Sequence, residues 1–139
     1  MALHAGAVTV RIVGLKGLAR AAAAMGTEGW AMLERHLLIA GAHVATGVRQ
    51  YYLTVNAQPD QRGAGGIDNQ ASTRGAFVVQ TIRKAENVSM RRPNYGPRMM
   101  RKAFLPAAWQ GRDFVLMQAM SAVEEAKKVY WDSQSSVIF

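Results

Sequence analysis

The side chains of this sequence with chemistry to offer are three histidines, a small set of carboxylates and one glycine-rich run. His36 and His43 stand seven apart in what reads as a single helix, and His4 lies close to the first residue. A zinc pair on a helix wants a spacing of three or four with a third ligand nearby, so His36 and His43 are expected at a surface or interface and no metal site is expected. Gly63-Ala-Gly-Gly66 is followed by Ile67-Asp68, not by Lys and Ser or Thr, and so lacks the part of a P-loop that grips phosphate. No serine sits in a Gly-x-Ser-x-Gly elbow, and Glu124 and Glu125 balance Lys127 and Lys128 as on a solvated helix face. No residue is nominated as catalytic and no cofactor is implied; the chain reads as a non-enzyme.

Charge is the remaining candidate. The chain carries +8, and residues 83 to 102 hold Arg83, Lys84, Arg91, Arg92, Arg98, Arg101 and Lys102 against Glu86 alone, so most of the excess is in one segment. Such a segment can be a solvated surface, a docking site for an acidic protein rim, or a phosphate contact. Tyr95 is its one aromatic residue, too few for a platform on which single-stranded bases stack. The first two readings are therefore placed above nucleic acid. Pro93 and Pro97 bracket Asn94-Tyr95-Gly96, which makes the middle of the segment a turn or an extended loop.

The elements that must carry these residues follow from hydrophobic period. Val8, Val10 and Ile12 alternate with Thr9 and Arg11, and then Leu15, Leu18, Ala22 and Met25 fall at helical spacing, so a strand turns at Gly14 into a short helix. Thr27 is placed to cap a second helix from about Glu28 to Tyr52, with Trp30, Leu33, Leu37, Ala40, Val44, Val48 and Tyr51 as its apolar stripe. Its other side carries Met32, His36, Ile39 and His43, a face with two apolar groups that is expected to serve self-association. Residues 56 to 75, rich in Gly, Asn, Asp and Gln, read as a long flexible loop, and Ala76 to Ile82 as a strand, with a weaker strand signal at 87 to 90. From Arg112 to Trp131 the pattern is helical, with Leu116, Ala119, Val123, Ala126 and Tyr130 expected inward and Ser121, Glu124, Glu125 and Lys128 outward. Residues 132 to 139 form a polar tether ending in Val137, Ile138 and Phe139, to be read either as a docking tail or as a frayed end.

At 139 residues the chain is expected to form a single domain of α+β class: a small, mostly antiparallel sheet with a long helix pair and a C-terminal helix packed on it. Much of its apolar content is alanine, and thin alanine-rich helices bury modest area each, which raises the expectation that neighbouring subunits contribute stability. Cysteine is absent, which excludes disulfide scaffolding, thiol catalysis and thiolate metal sites. No apolar run reaches membrane-spanning length and no signal-peptide core is evident, so a soluble protein within the cell is expected.

Two short motifs at either end carry a family resemblance. Val10-Arg-Ile-Val-Gly-Leu-Lys-Gly-Leu18 resembles the opening of the tail-completion or neck proteins of long-tailed bacteriophages, where a Gly-Leu pair leads from a strand into a helix and then a second, alanine-rich helix. Arg101-Lys-Ala-Phe-Leu-Pro-Ala-Ala-Trp109 resembles that family's Pro-Phe-Leu, basic residue, Pro-Ala segment ahead of a long C-terminal helix, and Ser72-Thr-Arg-Gly75 a weak form of its Thr-Gly motif. Ala103 departs from the family's proline, and Tyr95-Gly96-Pro97 at best echoes its Glu-Phe-Gly segment. The resemblance implies a virion protein that assembles in the host cytoplasm into a ring, usually sixfold, at the neck or head-proximal end of the tail. It would contact connector, adaptor, tail-terminator or tail-tube proteins and passing DNA, with no membrane partner. Arg91, Arg92, Arg98, Arg101, Lys102, Val137, Ile138 and Phe139 are the expected partner-docking residues. The alternative is a small basic nucleic-acid-binding domain.

Overall fold

The computed structural model describes residues 8–10, 20, 22, 24, 26–55, 59–72 and 75–135, with side chains described outside 8–10 and 129–135. It has an α+β fold in which a three-stranded antiparallel sheet, in the order β1-β3-β2, lies against one long helix that a second long helix packs on in turn. Strand β1 is Val8–Val10, β2 Ile67–Ser72 and β3 Gly75–Gln80; β3 pairs with both neighbours, Val78 lying opposite Val8 on one side and Asn69 on the other. Arg20, Ala22 and Ala24 are helical, while the rest of the short first helix expected over 15 to 25 lies outside the described residues.

Helix α1 runs from Thr27 to Val55. Thr27, expected as its cap, is its first helical residue, and Gly26 supplies the break before it at a φ of 86° that only glycine adopts freely. The expected stripe is the buried one: Leu33, Leu37, Ala40, Val44 and Val48 are each at most 2% exposed. Gly41 lets the helix approach the sheet closely, since a Cβ there would lie 3.2 Å from that of Asn69 and 3.8 Å from that of Ala76. Two polar clips fix the approach: Arg49 donates from Nε and Nη2 to the Ile67 carbonyl at 3.1 and 2.8 Å, and Asn69 Nδ2 donates to the Leu38 carbonyl at 3.1 Å.

Over the described part of the long loop expected at 56 to 75, a short helix and a strand form instead. Asp60 caps a short helix, α2 (Gln61–Gly65), by accepting from the Gly63 amide, and Ile67–Ser72 is the edge strand β2. An edge strand with one wet face needs few apolar residues; Ile67 alone fills the core position while Asp68 and Gln70 face outward. The strand expected at 87 to 90 is also absent: Lys84–Glu86 and Val88–Arg91 are single 3-10 turns, their backbone bonds closing locally from Glu86 to Arg83 and from Met90 to Asn87.

From Asn94 the chain is helical almost without interruption. Asn94 sits at φ 61°, which asparagine tolerates better than most residues, and turns the chain into α3 (Tyr95–Met99). A π-helical stretch, Met100–Phe104, then leads into α4 (Leu105–Gln110). Pro106 has no amide hydrogen and its ring would press on the carbonyl four residues back, so widening the preceding turn accommodates it within a continuous run. Helix α5, Arg112–Ser135, follows Gly111 and extends past Asp132, where the tether was expected; Val137, Ile138 and Phe139 lie outside the described residues.

Helix α5 covers much of the side of α1 that was expected to serve self-association. Met32 is only 8% exposed, His36 meets Gln118 and Glu125, and the His43 ring stacks on Phe114 with centroids 4.1 Å apart. His36 and His43 thus serve a helix contact within the subunit, while Ile39 stays 41% exposed. The faces of α5 differ from expectation accordingly: Val115 and Ala122 point inward, Glu125 turns toward α1, and Leu116 and Val123 are exposed. Small residues pack closely against α1, and the large apolar ones are left outside.

Candidate functional site

Asp60 is the hub that holds the basic segment to the body of the fold. Its carboxylate accepts from the Ser89 hydroxyl, from Asn87 Nδ2 at 3.0 and 3.2 Å, from the Gly63 amide at 3.0 Å and from the Tyr52 hydroxyl at 2.9 Å. Because Tyr52 gives its proton to Asp60, the Tyr95 hydroxyl 2.5 Å away donates to Tyr52, so the chain of bonds runs from Tyr95 through Tyr52 to the carboxylate. Gln80, buried in β3, donates to the Gly63 carbonyl at 2.7 Å and accepts from the Ile82 amide at 3.1 Å. Helices α1, α2 and α3, strand β3 and the second 3-10 turn are joined at this one cluster.

Burial pushes the Asp60 carboxyl upward, but bonds from Ser89, Gly63, Tyr52 and Asn87 outweigh it and hold the group below the ordinary carboxylate value. Burial pushes both tyrosine hydroxyls up, with the negative charge of Asp60 adding to the effect. The hub is therefore a fixed anion with neutral phenols around it. Gly63, in the glycine run that resembles no phosphate loop, is required for packing: a Cβ there would collide with Tyr52 and with the Asp60 carboxylate.

Beyond the hub, Gln80, Ile82, Lys84, Met90, Arg91 and Arg92 line a cleft of about 470 Å³, closed by Pro93 to Pro97. Arg91 donates to the Ala85 carbonyl at 2.8 Å and is otherwise exposed, as are Arg92, Arg101 and Lys102. Arg98 is half-buried, its charge acting on Tyr95. The proline-framed turn was legible in the sequence. The anchoring of the segment by Asp60 was not, because a lone acid among glycines and glutamines carries no spacing signal.

The second feature is apolar. Leu116, Met117 and Met120 on α5 are 59%, 53% and 61% exposed, and Leu105 and Trp109 on α4 are 53% and 67% exposed. Arg112 stacks on the Trp109 ring at 4.0 Å from its centroid and donates from Nη1 to the Trp109 carbonyl at 2.7 Å. On the far side of α5, Glu125 accepts from Arg35 at 2.5 Å and lies 2.5 Å from His36 Nε2, contacts that hold its carboxyl below the usual value, the His36 bond first. Among the described residues no group of His, Asp or Glu is placed to hold a metal ion, and no helix is long and apolar enough to cross a membrane. No family model matches the chain, and neither does any curated protein or solved structure.

Proposed function

We propose that the chain is a structural virion protein that forms a ring in the neck, or at the head-proximal end of the tail, of a long-tailed phage and joins head to tail. The observation that carries this reading is the set of large apolar side chains left outside on α4 and α5, next to a basic segment that is held in place by a buried hub. Leu105, Trp109, Leu116, Met117 and Met120 are costly to keep in water and well suited to burial between subunits. Such a protein works by matching surfaces and carries out no reaction. Arg91, Arg92, Arg101 and Lys102 present charge to an acidic rim, in keeping with the order of elements and the two end motifs that resemble the tail-completion family. Val137, Ile138 and Phe139 are proposed as a docking tail for a neighbouring protein.

The cleft lined by Lys84, Arg91 and Arg92 favours one competing reading, a nucleic-acid-binding domain. DNA that must slide through a neck is poorly served by a gripping lumen, so the neck reading predicts only weak duplex affinity, lost by physiological salt as counterions compete. The experiment is a duplex titration of the purified protein at about 50 and 200 mM salt. Loss of binding over that range supports the structural reading, and salt-resistant, sequence-selective binding would replace it with the competing one.

A further inference from the structure

We infer that copies of this chain join through two unlike helical stripes, the acidic and apolar stripe of α5 on one copy seating against the basic and apolar stripe of α4 and the turn before it on the next. The inference rests on the reading of the chain as an assembling structural subunit, and it names the surfaces that assemble. Asp113, Leu116, Met117, Met120, Ser121 and Glu124 line one groove and follow one another at helical spacing, so they share a face of α5. Both charges lining that groove are negative, Glu124 also meeting Lys127 at 3.3 Å on its exposed margin. Arg101, Lys102, Leu105 and Trp109 lie exposed along the preceding π-helical stretch and α4, Arg112 at the start of α5 stacks on Trp109, and every charge among them is positive.

The two stripes fit each other in the residues they offer as well as in sign. Each has an apolar centre of Leu with Met or Trp and a charged margin, the arrangement of a desolvated contact with a polar rim. Arg112 already holds the Trp109 indole from above, so this anchor is ordered before a partner arrives. Taking about 200 Å² for a large side chain, Leu105, Trp109, Leu116, Met117 and Met120 expose on the order of 600 Å² between them. That is roughly two thirds of the apolar area in a contact of standard size, and the alkyl stems of Arg101, Lys102 and Arg112 supply more. Like stripes repel each other by charge, so the favoured pairing is unlike with unlike. A contact of that kind between identical chains is head-to-tail and closes into a ring when its rotation permits.

The test uses the full-length protein in two charge-reversed forms, Asp113→Lys with Glu124→Lys and Arg101→Glu with Lys102→Glu, each checked by circular dichroism for an unchanged fold. The positions are exposed, so the fold should survive. The parent is expected to sediment as an oligomer, and each variant alone to associate at least tenfold more weakly, because its stripes then carry the same sign. Mixed together, the two variants should assemble again with alternating copies, since each altered stripe meets its complement. Variants that assemble as tightly as the parent, or a mixture that stays as dispersed as its components, would overturn the interface and leave the subunit reading in place. A parent that stays monomeric at all concentrations overturns the interface as well, whereas the neck role is judged separately, on particles.

Discussion

Asp60→Ala is expected to cost the fold about 3 kcal/mol and to lower the melting temperature by roughly 10 °C, although Asp60 lies in a segment of loop-like composition. The magnitude comes from what the substitution leaves behind. The Ser89 hydroxyl, the Asn87 amide, the Gly63 amide and the Tyr52 hydroxyl all donate to this carboxylate, and Asn87 and Tyr52 are buried where water cannot readily replace it. Stranding one buried donor costs about 1 to 3 kcal/mol, and partial hydration of the more open ones keeps the total well below four such losses. The effect also has a pH signature. The carboxyl is held lower in the fold than in the unfolded chain, so its contribution is complete above the unfolded value near 4 and is lost as pH falls through the folded value. Glu125 is lowered too and contributes in the same direction. Thermal melts from pH 7 down to about 3 should therefore show the gap between parent and Asp60→Asn narrowing below about pH 4. A gap that is constant with pH would mean that the hub is not ionic.

The second large effect separates two aromatic residues on one helical run. Phe104, 1% exposed in the main core, should cost about 4 kcal/mol as Phe104→Ala, the sum of lost transfer energy and the cavity left behind. Trp109, 67% exposed, should cost the isolated subunit less than about 0.5 kcal/mol as Trp109→Ala. Urea unfolding of both variants measures the contrast. Assembly should reverse the ranking, since Trp109→Ala removes an anchor of the proposed contact while leaving the subunit folded. If Trp109→Ala proves as destabilising as Phe104→Ala, the indole belongs to the fold of the subunit and not to a surface.

These two residues also mark how much the sequence disclosed. The 3.6-residue period gave α1 and its buried stripe because Leu33, Leu37, Ala40, Val44 and Val48 all serve one purpose, and β3 was readable because a central strand buries most of its side chains. Strand β2 was hidden because an edge strand satisfies its backbone through one neighbour and wets its outer face, so Asp68, Asn69 and Gln70 read as loop. The faces of α5 were misassigned for a different reason. Apolar residues occur on both sides of it, and only its partner decides which side is inside: α1 accepts the small Ala122 and the polar Glu125 at a close crossing and leaves Leu116, Met117 and Met120 in the open. His36 and His43 could not be recognised as an internal contact without knowing where that helix lies. The basic segment was legible as a cluster of charge, but its tether to Asp60 spans nearly thirty residues and is fixed by tertiary bonds alone.

The proposal that the chain joins head to tail is tested most directly in the genome that encodes it. A nonsense mutation in the gene, with the lysate viewed by electron microscopy, should yield DNA-filled heads and finished tails lying apart, which combine into complete particles when the purified protein is added. Complete particles formed without the protein, or heads and tails that stay apart after its addition, would contradict the account.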